Sequence, residues 1–197
     1  MFNWLKKHLS SSASQLESGE SSDDCASLIA SAGKAMAVGD AVEAAQCYRR
    51  ALVGRPHDAQ LHVALSFALK KLMLYAEARL NLNRAILLDP CNANAFYLLG
   101  KVAQEQGDLF GAIDNFNEAL DIQPDLEVVF NDLAAALWAC GRKNSAEQIL
   151  IKGIYLYPQS ARLHFELGSL YARANEWENA SASYRKALSI NPNFHEA

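Results

Sequence analysis

All five prolines of the chain stand 34 residues apart, at Pro56, Pro90, Pro124, Pro158 and Pro192. Two further columns keep the same register. Twelve residues before each proline is an alanine, at Ala44, Ala78, Ala112, Ala146 and Ala180. Twenty-four residues before each is a small residue, at Ala32, Ser66, Gly100, Ala134 and Gly168. A fixed period of this length predicts a tandem array of small repeats.

Each period is typical of two helices joined by a tight turn. The small residue of the first helix would face the alanine of the second, so that the two helix axes approach closely. Gly39, Gly107 and Gly141 fall between the helices, where a glycine ends a helix by adopting positive φ. The second period has Met73 at this turn, and the fourth has Gly153 where the others have alanine, a change expected to cost helix propensity.

The columns resemble the tetratricopeptide repeat family, whose pattern is W-x2-L-G-x2-Y, A-x3-F and P. Residues 161–192 read His164-x2-Leu167-Gly168-x2-Tyr171, then Ala180-x3-Tyr184, then Pro192, and residues 93–124 read similarly from Phe96. The resemblance implies an all-α fold, a right-handed α-α superhelix (solenoid) of stacked antiparallel helix pairs. Five repeat units are predicted, at residues 25–58, 59–92, 93–126, 127–160 and 161–192.

The two ends of the chain differ from the repeats. Residues 1–24 are predicted to form a short amphipathic segment, Phe2–Leu9, followed by a disordered linker rich in serine and acidic residues. The amphipathic segment suits weak membrane contact, a partner helix, or packing on the first repeat. Residues 193–197 look like the start of an interrupted sixth repeat, which predicts either a longer natural chain or a second subunit over the uncapped end.

Composition narrows the class of partner. With 18 basic and 22 acidic residues the net charge is −4, which argues against nucleic acid. No stretch reaches the about 20 apolar residues of a membrane span, and the N-terminus lacks the apolar core of a secretory signal. The four cysteines have no paired spacing, which predicts free thiols in a reducing compartment, the cytoplasm.

The sequence offers no sign of catalysis, of a metal site or of a cofactor. Nucleophile, phosphate-loop, dinucleotide and metalloprotease motifs are missing. His62 and His164 share a column three repeats apart, too far for a shared metal, and are expected to pack or to bond between helices. The chain itself is therefore predicted not to be an enzyme.

The family resemblance places ligand-binding residues on one stripe of each first helix, spaced i, i+4 and i+7 along the concave face. The candidate peptide-binding groove comprises Phe67, Lys70, Lys71, Asn94, Tyr97, Lys101, Gln104, Asn131, Trp138, Arg162, Phe165 and Arg173. The groove is expected to combine aromatic, amide and cationic groups with few acids, which suits a peptide with apolar anchors and some negative charge. The alternative is that Phe67, Tyr97 and Phe165 belong partly to the core.

The function predicted from these features is a protein–protein interaction scaffold that binds a partner peptide or helix in the groove. Two alternatives stay open. The chain could be the N-terminal substrate-targeting region of a longer enzyme, such as a glycosyltransferase-like transferase. It could also form homo-oligomers through its uncapped C-terminal end.

Overall fold

The computed structural model describes residues 22–194, and in that span the chain forms ten α-helices and no strand. The helices are α1 (Ser22–Ala37), α2 (Ala41–Gly54), α3 (Ala59–Lys71), α4 (Tyr75–Leu88), α5 (Ala93–Glu105), α6 (Leu109–Ile122), α7 (Glu127–Ala139), α8 (Lys143–Leu156), α9 (Ala161–Arg173) and α10 (Trp177–Ile190). They form five consecutive packed pairs. The predicted all-α array of stacked helix pairs is therefore confirmed.

The helices belong to two compact units, one ending at Pro90 and the other beginning at Cys91. In the first unit, α1 packs on α2, α2 on α3, and α3 on α4. In the second unit, each of α5 to α9 packs on the next helix along the chain. There α5 also contacts α7, and α7 contacts α9, so that the first helices of successive pairs lie side by side.

Helix ends follow local sequence signals. Five helices begin after a polar residue whose side chain accepts a hydrogen bond from the first turn, which satisfies N–H groups that have no helical partner. These residues are Asp40, Asp58, Asn92, Asp108 and Ser160. Each of the five prolines lies two residues beyond the end of a second helix, as the repeat pattern predicts.

The turns inside the pairs depend on positive φ. Gly39, Gly107 and Gly141 have φ of 84°, 81° and 75°, which confirms their predicted role. Met73 and Asn175 occupy the equivalent turns with φ of 59° and 63°. A side chain with a Cβ is disfavoured in this conformation, so the Met73 turn keeps the repeat geometry at a cost in stability.

Small residues allow the aromatic side chains of the core to approach the backbone. A Cβ built on Gly100 would lie 2.6 Å from the ring of Phe116, and one built on Gly168 would lie 2.8 Å from that of Tyr184. The fully buried Phe130 makes the same demand on Gly153, whose added Cβ would lie 2.9 Å from the ring. Gly153 is therefore required by packing, a role that stands beside its predicted cost in helix propensity.

Several predictions for the chain ends lie outside the described residues. They concern the amphipathic segment Phe2–Leu9, most of the linker, and residues 195–197 of the interrupted repeat. The first helix already begins at Ser22, inside the span assigned to the linker. Phe194, the last described residue, packs edge-on against Phe165, with ring centroids 5.4 Å apart.

Candidate functional site

The candidate stripe of the second unit is carried by α5, α7 and α9. Tyr97, Lys101 and Gln104 on α5 are half-buried, as are Asn131 and Trp138 on α7. Asn94, at the start of α5, is exposed. Because these helices are neighbours, the structure brings the side chains of successive repeats to one face of the second unit.

Tyr97 and Lys101 converge on Asp132, a residue that the sequence analysis did not include in the site. The Tyr97 hydroxyl donates to Asp132 Oδ2 at 2.8 Å, and Lys101 Nζ donates to Asp132 Oδ1 at 2.7 Å and to Gln104 Oε1 at 3.3 Å. Burial raises the pKa of the Tyr97 phenol, and the charge of Asp132 and this hydrogen bond raise it further. The cluster ties α5 to α7.

A second carboxylate, Glu166, accepts a hydrogen bond from Arg162 Nε at 2.8 Å on α9. Asp132 and Glu166 therefore add two carboxylates to the predicted groove, and each is paired with a basic side chain. Asp132 and Glu166 stand in the same repeat column, one residue beyond the predicted stripe on each helix. Asp132 was missed because the pattern of one helix does not show which side chains of a neighbouring helix reach it. Glu166 pairs with Arg162 on its own helix at i, i+4 spacing, a signal that the sequence does contain.

Trp138 lies beside two cations. The Arg173 guanidinium carbon is 4.7 Å from the centroid of the Trp138 ring, and Lys143 Nζ is 5.2 Å from it. Lys143 is the first residue of α8, which is the second helix of its pair, so the stripe pattern of the first helices does not include it. A small pocket beside this ring is lined by residues of α7, α8 and α9, among them Asn131, Glu166 and Ser169.

Phe165, another predicted groove residue, contacts aromatic neighbours. Its ring centroid lies 5.5 Å from that of Tyr184, in addition to its contact with Phe194. Tyr97 similarly lies 5.9 Å from Phe116, which is fully buried. Both side chains therefore combine core packing with partial exposure, and their role in ligand binding stays a prediction.

In the first unit, the predicted residues lie on α3. Phe67 is 39% exposed, and Lys71 Nζ stands 5.6 Å from its ring centroid. Lys70 is half-buried. Nearer the start of α3, His62 Nδ1 lies 2.9 Å from Asn81 Oδ1 on α4, which confirms its predicted interhelical hydrogen bonding. His62 Nε2 lies 3.1 Å from the Pro56 carbonyl.

Tyr171 links the last two pairs of the second unit. Its hydroxyl donates to Glu147 Oε1 at 2.6 Å, which joins α9 to α8. Burial raises the pKa of Tyr171 to about 12, and the hydrogen bond to Glu147 adds to the effect. Among residues 24–194, no group of three or more His, Cys, Asp or Glu side chains is placed to hold a metal ion. The groups that this face presents are ion pairs, amides and aromatic rings.

Comparison with known proteins agrees with the helix-pair architecture. The family model for the Tetratricopeptide repeat matches residues 93–126 and 161–194. Human protein O-mannosyl-transferase TMTC3 is 28% identical over 159 residues, which are 79% of this chain and 17% of that protein. The chain spans less than a third of the length of the first curated relatives it matches.

Solved structures share the fold. The crystal structure of MamA protein is 20% identical, with a TM-score of 0.71 over 87% of this chain and 94% of that one. YrrB, described as a TPR protein with an unusual peptide-binding site, is 20% identical, with a TM-score of 0.65 over 86% of this chain and 87% of that one. Within the part of the chain that is described, no helix combines the length and apolar character needed to cross a membrane.

Proposed function

Because this chain belongs to the tetratricopeptide repeat family, we propose that it is an interaction scaffold that binds a partner peptide on the face formed by α5, α7 and α9. One observation carries the proposal: the stripe side chains of these neighbouring helices stay half-exposed, and a pocket opens among them at Trp138. A peptide laid across the three helices would meet aromatic, amide and charged groups in succession.

The preorganisation of two stripe side chains supports this proposal. The Asp132 cluster fixes Tyr97 and Lys101 before any ligand arrives, so these side chains lose little further rotamer freedom on binding. The peptide-binding site described for YrrB, a protein of similar fold, adds support by analogy. The predicted five-repeat division and the groove residues of the first unit belong to the same proposal.

The experiment compares three full-length baits in partner capture from lysate of the source cells. Ala135→Glu adds bulk and charge at an exposed α7 position of the stripe, and Lys152→Glu makes an equally charged change at an exposed α8 position outside the stripe and the pocket. We expect a partner captured by wild type and Lys152→Glu to be lost with Ala135→Glu. Circular dichroism confirms folding of each bait. Equal capture by all three baits contradicts the groove assignment.

A second candidate function is targeting within a longer enzyme. The match to human TMTC3, a protein O-mannosyl-transferase of which this chain covers 17%, favours this candidate. The chain itself supplies no catalytic residue in this proposal. Sequencing the open reading frame beyond Ala197 tests this candidate. A catalytic domain encoded there is the expected result, and a stop codon directly after Ala197 contradicts the candidate.

We further propose that the protein acts in the cytoplasm and that its end near α10 is available for self-association. None of the four cysteines forms a disulfide in the described part of the chain, which is typical of proteins in a reducing compartment. In α10, Trp177 is 65% exposed and Leu188 is 37% exposed. Light scattering across a concentration series tests self-association, since a constant monomer mass at high concentration excludes it.

A further inference from the structure

The pocket beside Trp138 combines two features that call for a ligand of defined chemistry. Its walls come from α7, α8 and α9, and they include the indole of Trp138, the amide of Asn131 and the guanidinium of Arg173. Lys143 reaches the same indole from the start of α8. The pocket is small, so it suits one functional group of a longer ligand.

The first feature is an excess of positive charge. Lys101 and Arg162, the other basic residues of this face, each pair with a carboxylate, at 2.7 Å and 2.8 Å. Among the described residues, no ion pair is formed by Arg173 or Lys143, whose cationic groups both lie within 5.2 Å of the Trp138 ring centroid. Glu166 also lines the pocket, but its charge is balanced by Arg162. An anionic group next to Trp138 would therefore gain charge-assisted hydrogen bonds.

The second feature is an unsatisfied acceptor. Asn131 Oδ1 is buried and has no hydrogen-bond partner among the described residues. A buried acceptor without a donor costs about 1–3 kcal/mol, and a ligand N–H group would recover this cost. Asn131 and Arg173 line one pocket, and Lys143 lies against the Trp138 ring of the same pocket, so a ligand with an N–H group close to an anion fits both features.

We infer that this pocket binds an acidic residue of an extended peptide, which supplies a carboxylate with a backbone N–H close to it. Its side-chain carboxylate lies against Arg173 and Lys143 beside Trp138, and a neighbouring backbone N–H donates to Asn131 Oδ1. The inference rests on the proposed peptide-binding function and adds the chemistry of the ligand at one position. Charge complementarity and the orphaned amide oxygen select the occupant.

The test selects random 12-residue peptides, displayed with blocked ends, on the full chain. Three baits are used: wild type, the double variant Arg173→Gln/Lys143→Gln, and the control Lys152→Gln, which removes an exposed charge from α8 outside the pocket. We expect wild type and Lys152→Gln to enrich peptides with Asp or Glu at one fixed position. The double variant is expected to lose that preference. A selected peptide should bind it about tenfold more weakly, and replacing the acid by its amide should have a similar effect on wild type.

The outcomes separate this inference from the function on which it rests. Peptides enriched without an acidic position, or an acidic preference that survives in the double variant, overturn the inference and leave peptide binding intact. Enrichment only when the peptide has a free C-terminus also overturns it, since the ligand is then a terminal carboxylate. A failure of wild type to enrich any peptide overturns both.

Asn131→Ala tests the acceptor separately. This variant removes an unsatisfied buried group, so thermal unfolding should occur at the same temperature or higher, whereas the selected peptide should bind several-fold more weakly. N-methylation of the peptide at the matching amide should weaken binding to wild type and leave binding to Asn131→Ala unchanged. Equal affinity of wild type and Asn131→Ala contradicts the role of the amide oxygen.

Discussion

The two compact units share one repeat register but differ in what fills it. In residues 24–90, eight basic residues stand against six acidic ones, whereas residues 91–194 have eight against twelve. The largest fully buried side chains of the second unit are Phe116 and Phe130, and those of the first are leucines, Leu69 and Leu82. The same helix-pair architecture therefore accommodates either leucine or phenylalanine as its largest fully buried side chain.

One repeat column shows the difference in detail. His62 of the first unit and Phe130 of the second occupy the same position of their first helices. His62 joins two chain segments by hydrogen bonds to Asn81 and Pro56, whereas Phe130 is fully buried against Gly153. The repeat register sets the position of the side chain on its helix. The chemistry of that side chain decides whether it forms hydrogen bonds or packs in the core.

The largest expected effect on stability comes from replacing the side chain at this repeat position by alanine. Phe130→Ala should lower the free energy of unfolding of the second unit by about 3–5 kcal/mol, because it leaves a cavity in the core. His62→Ala should cost the first unit about 1–2 kcal/mol, the value of its hydrogen bonds. Hydrogen exchange by mass spectrometry, followed in peptides of α7–α8 and α3–α4, measures each change. Equal losses would mean that the two cores do not differ in kind.

Two glycine substitutions are expected to act in opposite directions. Gly153→Ala should destabilise the second unit by about 1–3 kcal/mol, because the added methyl meets Phe130. Gly33→Ala, in the interior of α1 with open space around it, should stabilise the first unit by about 0.5–1 kcal/mol. Urea unfolding curves of the two variants test the pair. Stabilisation by Gly153→Ala would show that helix propensity outweighs packing there.

The turns provide a smaller effect. Met73→Gly should stabilise the first unit by about 1 kcal/mol, since glycine adopts the φ of 59° without steric conflict. Gly107→Ala, the reverse change in the second unit, should destabilise it by about the same amount. Thermal unfolding measures both. If Met73→Gly lowers the unfolding temperature, contacts of the exposed Met73 side chain outweigh its backbone cost.

The smallest effect is a dependence on alkaline pH. The pKa of Tyr171 is raised to about 12 in the folded chain, so between pH 10 and pH 12 the folded state retains a proton that the unfolded state has lost. The stabilisation is complete below pH 10 and falls as pH rises through 12. Tyr171→Phe should therefore flatten the loss of unfolding free energy over this range.

Tyr48→Phe gives the comparison in the first unit, where burial rather than a carboxylate raises the pKa of the phenol. Urea midpoints at pH 9 and pH 11 for wild type and both variants measure the slopes. If the change of the urea midpoint between pH 9 and pH 11 is the same in Tyr171→Phe as in wild type, the raised pKa of Tyr171 does not contribute to folding stability.

Most of the fold was predictable because its determinants are local. Proline, the turn glycines and the alternation of small and large residues act within one helix pair, and the 34-residue period repeats them five times. The site was predictable only as a set of positions. The family resemblance implied Tyr97, Lys101 and Trp138 as stripe positions, but their partners Asp132 and Lys143 were not predicted, because each partner lies on another helix.

The sequence by itself determined the helix pairs and the turns, since these follow from periodicity and backbone preference, and its family resemblance implied the positions of the candidate stripe. Only the tertiary structure decided which charges cancel and which stay available. Lys101 and Arg173 are both basic residues of first helices, yet the first meets Asp132 while the second lies over Trp138. That outcome depends on distances of a few ångströms between helices, which one repeat pattern does not encode.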